Sequence, residues 1–144
     1  MNKSLHYLLM ADHLIFNKNL LLRIKNSELT PGQPKVLDYL IYHDGAVQKD
    51  IAESCHIEPA TITSVLAGME KSGLIMRKNP NGNRRSLYVY LTEKGKLLAE
   101  QTEKYFEEIE RKALNGFDEN EIDTLISLLI RINNNMHGNE ENSL

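Results

Sequence analysis

Residues 47–91 read VQKDIAESCHIEPATITSVLAGMEKSGLIMRKNPNGNRRSLYVYL, and the order of signals along that stretch decides the fold. Gln48–Ser54 has the pattern of a short helix whose inward positions are Ile51 and Ala52. A small Ala lets two helix axes approach closely. Cys55-His56-Ile57-Glu58 is a polar turn with Ile57 as its apolar plug. Pro59 suits the first position of a second helix, where its missing N–H costs nothing. Ile62, Val65, Leu66 and Met69 then recur at helical spacing towards a core, and Gly73 sits where a left-handed C-cap is expected. Leu74–Lys78 and Ser86–Leu91 read as strands around Asn79-Pro80-Asn81-Gly82-Asn83, a segment dense in turn residues. Helix, turn, helix and hairpin in that order make a winged helix-turn-helix.

The flanks read as helical. Leu5 to about Lys25 carries Leu5, Leu8, Leu9, Phe16 and Leu20 at three- and four-residue steps, widened by Ile15, Leu22 and Ile24. So broad a stripe calls for cover on more than one side, from the core or from a second subunit. Thr30 is the expected N-cap of the next helix, with Pro31 at its first position, Pro34 in its first turn and Val36, Leu37, Leu40 and Ile41 on its buried face. Asp44-Gly45 is expected to end it, and Ala46-Val47 to form a very short strand. After the hairpin, Thr92-Glu93-Lys94-Gly95 opens a helix to about Asn115, with Leu98, Tyr105, Phe106, Ile109 and Ala113 on one face. Asp118 caps a last helix in which Ile122, Leu125, Ile126, Leu129, Ile132 and Met136 recur, and the polar tail from Gly138 is expected to be disordered. The expected fold class is mainly α with a small β-wing. Residues 1–144 form one domain, with a winged lobe over about 30–92 between helices at about 5–25 and 93–137.

Composition narrows the function. At 144 residues, 41% hydrophobic and 26% charged, the chain has the make-up of a soluble globular domain. No apolar run reaches the roughly 18 residues a membrane span needs, and the N-terminus lacks a signal-peptide pattern. The single Cys55 cannot form an internal disulfide, so the cytoplasm is the expected compartment. No pairing of nucleophile with base, no phosphate loop and no clustered ligand pattern among the five His is present, so neither catalysis, nor a cofactor, nor a metal is expected. Cys55 is expected to be a buried, inert thiol.

The net charge of −3 conceals an uneven distribution. Residues 46–96 hold eight Lys/Arg against five acids, a local +3 that leaves −6 for the remainder, and no acid lies between Lys71 and Thr92. Local sign governs where a polyanion can land. The outward face of the Pro59–Lys71 helix carries Ala60, Thr61, Thr63, Ser64, Ala67 and Gly68, small enough to let a backbone sink into a major groove. Hydroxyls there can bond phosphates or base edges, while Ala and Thr methyls can meet thymine methyls, a tilt towards A·T-rich sequence. Gln48 joins this set, as does Pro59 at the start of the helix. Lys78, Asn83, Arg84 and Arg85 place basic and polar groups on a thin ribbon suited to an adjacent minor groove. Double-stranded DNA is the expected partner.

The segments LTPGQPKVL, QKDIA, PATITSVLAGMEKSGLIMR and NRRSLYVYLTEKGK, in this order over about residues 29–96, resemble the MarR family of bacterial regulators. The resemblance implies a dimeric winged-helix repressor whose N- and C-terminal helices build the two-fold interface, on a palindromic operator. It matches Thr61, Thr63 and Ser64 to groove-facing positions and Arg85 to the minor-groove wing arginine. The family's usual Asp-x-Arg is here Asn83-Arg84-Arg85, so a charge that would hold the arginine is missing. It also implies release by a small apolar or phenolic effector, with Leu9, His13, Phe16, Leu37, Ile41 and Tyr105 as the candidate lining. Two other readings stay open: a global regulator of related fold without an inducer, and a winged-helix protein-interaction module or anti-regulator.

Overall fold

The computed structural model describes residues 3–79 and 87–138. Six helices and three strands follow in order: α1 (Leu5–Ile24), α2 (Gln33–Leu40), β1 (Ala46–Val47), α3 (Gln48–Ser54), α4 (Pro59–Lys71), β2 (Ile75–Lys78), β3 (Tyr88–Leu91), α5 (Glu93–Ala113) and α6 (Glu119–His137). The strands form one antiparallel sheet in the order β1-β3-β2, with Ile75 opposite Leu91 and Ala46 opposite Val89. This is the mainly α fold with a small β-wing that the sequence leads one to expect. The chain divides into two compact units, residues 1–109 and 110–144.

In the first unit, α2, α3, α4 and the sheet close around Val36, Leu37, Leu40, Ile51, Ile62, Leu66, Met69, Leu74 and Val89, all at most 1% exposed. Each such aliphatic side chain contributes about 1.5–3 kcal/mol by leaving water. The sheet positions alternate, with Val89 and Leu91 buried and Tyr88 and Tyr90 half-buried, so β3 supplies one face to this core. Thr92 fixes the start of α5. Its Oγ1 accepts from the Gly95 N–H at 3.0 Å and donates to the Gly73 carbonyl at 2.6 Å, tying α5 to the end of α4. Gly95 permits this closeness, because a Cβ there would stand 1.9 Å from the Leu74 carbonyl oxygen.

The start of α2 differs from the expectation at Thr30 and Pro31. Residues 31–32 form a turn, Gly32 is the N-cap at φ 91°, and it is Pro34 that lies in the first helical turn. Gln33 is the reason: its Oε1 accepts from the Thr30 N–H at 3.1 Å and its own N–H donates to the Thr30 carbonyl at 3.2 Å. That side chain turns inward, 5% exposed, and displaces the helix start past the first proline. The other end stops at Leu40, before Asp44, whose Oδ1 instead accepts from the Leu91 N–H at 2.8 Å and holds the loop to β3.

Two faces are less buried than their periodicity implied. Of the α1 stripe only Leu20 and Ile24 are buried, while Leu5, Leu9, Ile15 and Leu22 are exposed, as are Met10 and Leu14 near 70%. On α5 the buried positions are Gly95, Ala99, Thr102 and Ile109, with Leu98, Tyr105 and Phe106 half-buried and Ala113 exposed. In the second unit, α6 begins on the expected cap. Asp118 accepts from the Glu121 N–H at 2.8 Å while Glu121 accepts from the Asp118 N–H at 3.1 Å, a reciprocal capping box. No residue of α6 is buried, although Ile126, Leu128, Leu129, Ile130 and Met136 are all large and apolar.

Candidate nucleic-acid interface

The helix-turn-helix forms where the sequence placed it. Cys55 ends α3 and His56 takes a left-handed conformation (φ 52°), which lets the Ile57 N–H return to the Ala52 carbonyl at 2.9 Å. Lys35 braces the turn from α2, its Nζ donating to the Cys55 carbonyl at 3.0 Å. The Cys55 thiol is buried and points at the Lys35 carbonyl at 3.6 Å. Burial pushes its pKa up, against the smaller opposing pull of the Lys35 charge, so the thiol stays protonated. That is the buried, unreactive cysteine expected from its position.

Pro59 opens α4 after Glu58, and the helix divides cleanly. Ile62, Leu66 and Met69 are buried and Val65 is half-buried, whereas Pro59, Ala60, Thr61, Thr63, Ser64 and Ala67 are exposed on the other side. Gly68 departs from the expected outward set: it is half-buried, with a Cβ there lying 3.6 Å from Gln33 Nε2. A Cβ there would make ordinary contact with α2, which partly covers this side of the helix. The exposed face from Pro59 to Ala67 is therefore small, hydroxylic and free of acids over about two turns.

Gln48, half-buried at the head of α3, reaches across to that face. Its Nε2 donates to Thr63 Oγ1 at 3.0 Å, and Thr63 Oγ1 donates to the Pro59 carbonyl at 3.0 Å. Gln48, Lys49, Pro59, Thr63 and Leu87 border an open hollow of about 440 Å3. Lys49 was not singled out by the sequence reading; its side chain is 83% exposed, beside Glu53 at 4.0 Å. Its position one residue after Gln48 was the available signal. On the wing, Lys78 is exposed with its Nζ 5.0 Å from the centre of the Tyr90 ring. Asn83, Arg84 and Arg85 lie outside the described residues.

Arg77 is a cation the local charge count includes but the geometry engages elsewhere. Its Nε and Nη2 donate to the two carboxylate oxygens of Glu70 at 3.1 and 3.0 Å, a fork that ties β2 to α4. The hydrogen bond from Arg77 holds the Glu70 carboxyl below its ordinary range.

The residues expected to line an effector site do not share one setting. Leu37 is wholly enclosed, and Phe16, Ile41 and Tyr105 pack against the core around it. Phe16 stacks on Phe106 with ring centres 6.2 Å apart. Leu9 and His13 are exposed on α1, where Asn17 Nδ2 lies 3.1 Å from His13 Nε2. His13 borders a shallow hollow of about 570 Å3 with Asp38, Tyr42, His43 and Cys55. A separate hollow of about 400 Å3 is bordered by Asn17 and Leu20 of α1, Pro34 of α2, His56 of the turn and Thr61 and Val65 of α4.

Comparison with known proteins agrees with this geometry. The MarR family model matches residues 29–87. The organic hydroperoxide resistance transcriptional regulator of Bacillus subtilis is 31% identical over 101 residues, which are 70% of this chain and 69% of that protein. A putative MarR family regulator from Listeria monocytogenes, solved in complex with a 26mer DNA, superposes with a TM-score of 0.90 at 24% identity, covering 96% of this chain and 92% of that one. The transcriptional repressor CouR, solved on a 23-mer DNA duplex, gives a TM-score of 0.79 at 27% identity over 90% and 92% of the two chains. With the matched core, the helix-turn-helix and the paired wing strands in the same order, the chain belongs to the MarR family: it is a DNA-binding transcriptional regulator with a winged-helix fold, not an enzyme.

Proposed function

We propose that the protein is a homodimeric repressor that holds an A·T-rich palindromic operator and leaves it when a small apolar or phenolic compound binds. The observation that carries the DNA side of this reading is the exposed, small-residue face of α4, backed by a fully formed core and flanked by the wing strands. Pro59, Ala60, Thr61, Thr63 and Ser64 would enter the major groove, with Gln48 beside them. Lys78, Asn83, Arg84 and Arg85 would follow the adjacent minor groove and its phosphates. The exposed apolar residues of α1 and α6 are the surface a second copy would cover. A two-fold pair would set two recognition helices about 34–36 Å apart, one helical turn of DNA. A repressor role is supported by the likeness to CouR, a repressor solved on duplex DNA. Such a role belongs in the cytoplasm.

The effector would act by shifting the spacing of the two recognition helices. Leu9, His13, Phe16, Leu37, Ile41 and Tyr105 remain the candidate lining, with the half-buried Phe16, Ile41 and Tyr105 at the edge of the core offering the apolar contacts. The hollow bordered by both α1 and Thr61 holds none of these six residues; it is a second place where a compound would touch a flanking helix and the recognition helix together. A compound that prefers the DNA-incompetent spacing about 100-fold supplies at most about 2.7 kcal/mol, enough to empty an operator held with modest surplus affinity. The test is a mobility-shift titration on A·T-rich palindromes with and without phenolic and lipophilic compounds, beside sedimentation of the free protein. Retardation of the duplex by a dimer, relieved by at least one compound that also raises the melting temperature, is expected. Binding that no compound relieves would leave an inducer-free regulator. A protein that retards no duplex would contradict the operator reading.

A further inference from the structure

We propose that Thr63 reads its base as a hydrogen-bond acceptor only, and that Gln48 imposes this as a positioning residue, not as a base contact. The inference rests on the reading that α4 lies in the major groove. A threonine hydroxyl has one proton and two lone pairs. Left to rotate, it can donate to guanine or thymine or accept from the amino group of adenine or cytosine, and so discriminates poorly. Here the proton is directed to the Pro59 carbonyl at 3.0 Å and one lone pair is taken by Gln48 Nε2 at 3.0 Å. A single lone pair is left for the groove. Reversing the Gln48 amide does not change the outcome, because Oε1 would then receive the hydroxyl proton in place of the Pro59 carbonyl. In both arrangements the proton points into the protein.

Gln48 is suited to hold and not to read. Its backbone N–H donates to the Leu87 carbonyl at 3.2 Å, which anchors the head of α3 to the chain entering β3. Its Oε1 is enclosed and has no hydrogen-bonding partner among the described residues. An enclosed oxygen cannot join Nε2 in the paired donor and acceptor that a bidentate adenine contact requires. The Thr63 side chain is exposed, so its remaining lone pair is the polar feature this pair offers outward. An amino donor, on adenine or cytosine, satisfies it. Guanine and thymine would present acceptors to an acceptor.

Selection from randomised duplexes by the full-length protein tests this, with binding curves for the winners. Wild type should prefer adenine or cytosine over guanine or thymine, by about three- to tenfold, at one position in each half-site. Thr63→Val, which keeps the shape and removes the acceptor, should lose that preference. Gln48→Ala leaves the Pro59 carbonyl to hold the hydroxyl without the Gln48 amide beside it, so the hydroxyl can turn to a base acceptor, and the preference should fall to about twofold or less. Gln48→Glu can receive the hydroxyl proton but cannot donate, so it should keep the preference while weakening binding to every sequence. Wild-type preferences at every position in either Gln48→Ala or Thr63→Val would overturn the inference while leaving the groove reading intact. Failure of the wild type to bind any duplex would overturn both.

Discussion

α4 and α6 carry similar apolar stripes and meet opposite fates. The 13 residues of α4 bury Ile62, Leu66 and Met69 within their own unit, and the face left over is small and polar. The 19 residues of α6 bury nothing, and Ile130 stays 53% exposed. Periodicity reports that a face is apolar but does not say which chain covers it. In α4 the stripe faces α3 and the sheet, a few residues away in sequence. In α6, and along much of α1, the matching surface is not among the described residues of this chain. Exposed apolar patches commonly mark interaction sites, which is the basis for the proposed second copy.

The comparison can be broken by truncation. Leu66→Ala removes a wholly enclosed side chain and should cost about 2–5 kcal/mol of unfolding free energy, at any protein concentration. Leu128→Ala, on a side chain 47% exposed in the single chain, should cost a comparable amount only where copies associate, and its effect should fade on dilution. Denaturant melts at two concentrations well apart would show it, and a concentration-independent loss at Leu128 would refute a shared interface on α6. Ile130→Asp places a charge on the same face. Sedimentation should then show the dimer dissociation constant rising by tenfold or more, about 1.4 kcal/mol, with the helical signal of the winged lobe unchanged.

Smaller effects sharpen the picture inside the lobe. Arg77→Ala should lower stability by about 0.5–1 kcal/mol at neutral pH, since the Glu70 partner is partly exposed. Because the folded carboxyl of Glu70 is held below its ordinary range, this contribution is present above that range and disappears as pH falls through the folded value. The gap between wild type and Arg77→Ala should therefore close in acid. A gap that widened there would refute the pairing. Asp38 has the opposite sign: burial first, and the Glu103 charge second, push its carboxyl up. Its folded form favours the proton, so stability is lost as pH rises through that value. Asp38→Asn should then stabilise slightly at neutral pH, well under about 1 kcal/mol after solvent screening, and not at all in acid. Melting temperatures across pH would detect either trend.

How much of this was legible in the sequence depends on the range of the signal. The bounds of α3 and α4, the Gly73 cap and the Asp118 cap rest on neighbours within a turn or two, and all stand where the residues indicated. The start of α2 was misread because Gln33 turns inward to meet Thr30, so a proline rule applied one residue pair too early. Gly68 was placed on the outward face and is half-buried beside Gln33 of another helix, and the pairing of Arg77 with a carboxylate seven residues away was not foreseen. The Gln48–Thr63 bridge spans fifteen residues and leaves no periodic trace. The small, hydroxylic face of α4 was readable as composition, and the bridge to it from Gln48 was not.

The most direct test of the DNA-binding face is a single charge placed on α4. Ser64 is exposed and holds no part of the core, so Ser64→Glu should fold and melt as the wild type does. In the major groove that carboxylate would stand against the phosphates' negative field, and mobility-shift affinity for a binding duplex should fall by at least about 100-fold. A Ser64→Glu protein that bound the same duplex as tightly as wild type would show that α4 does not enter the groove.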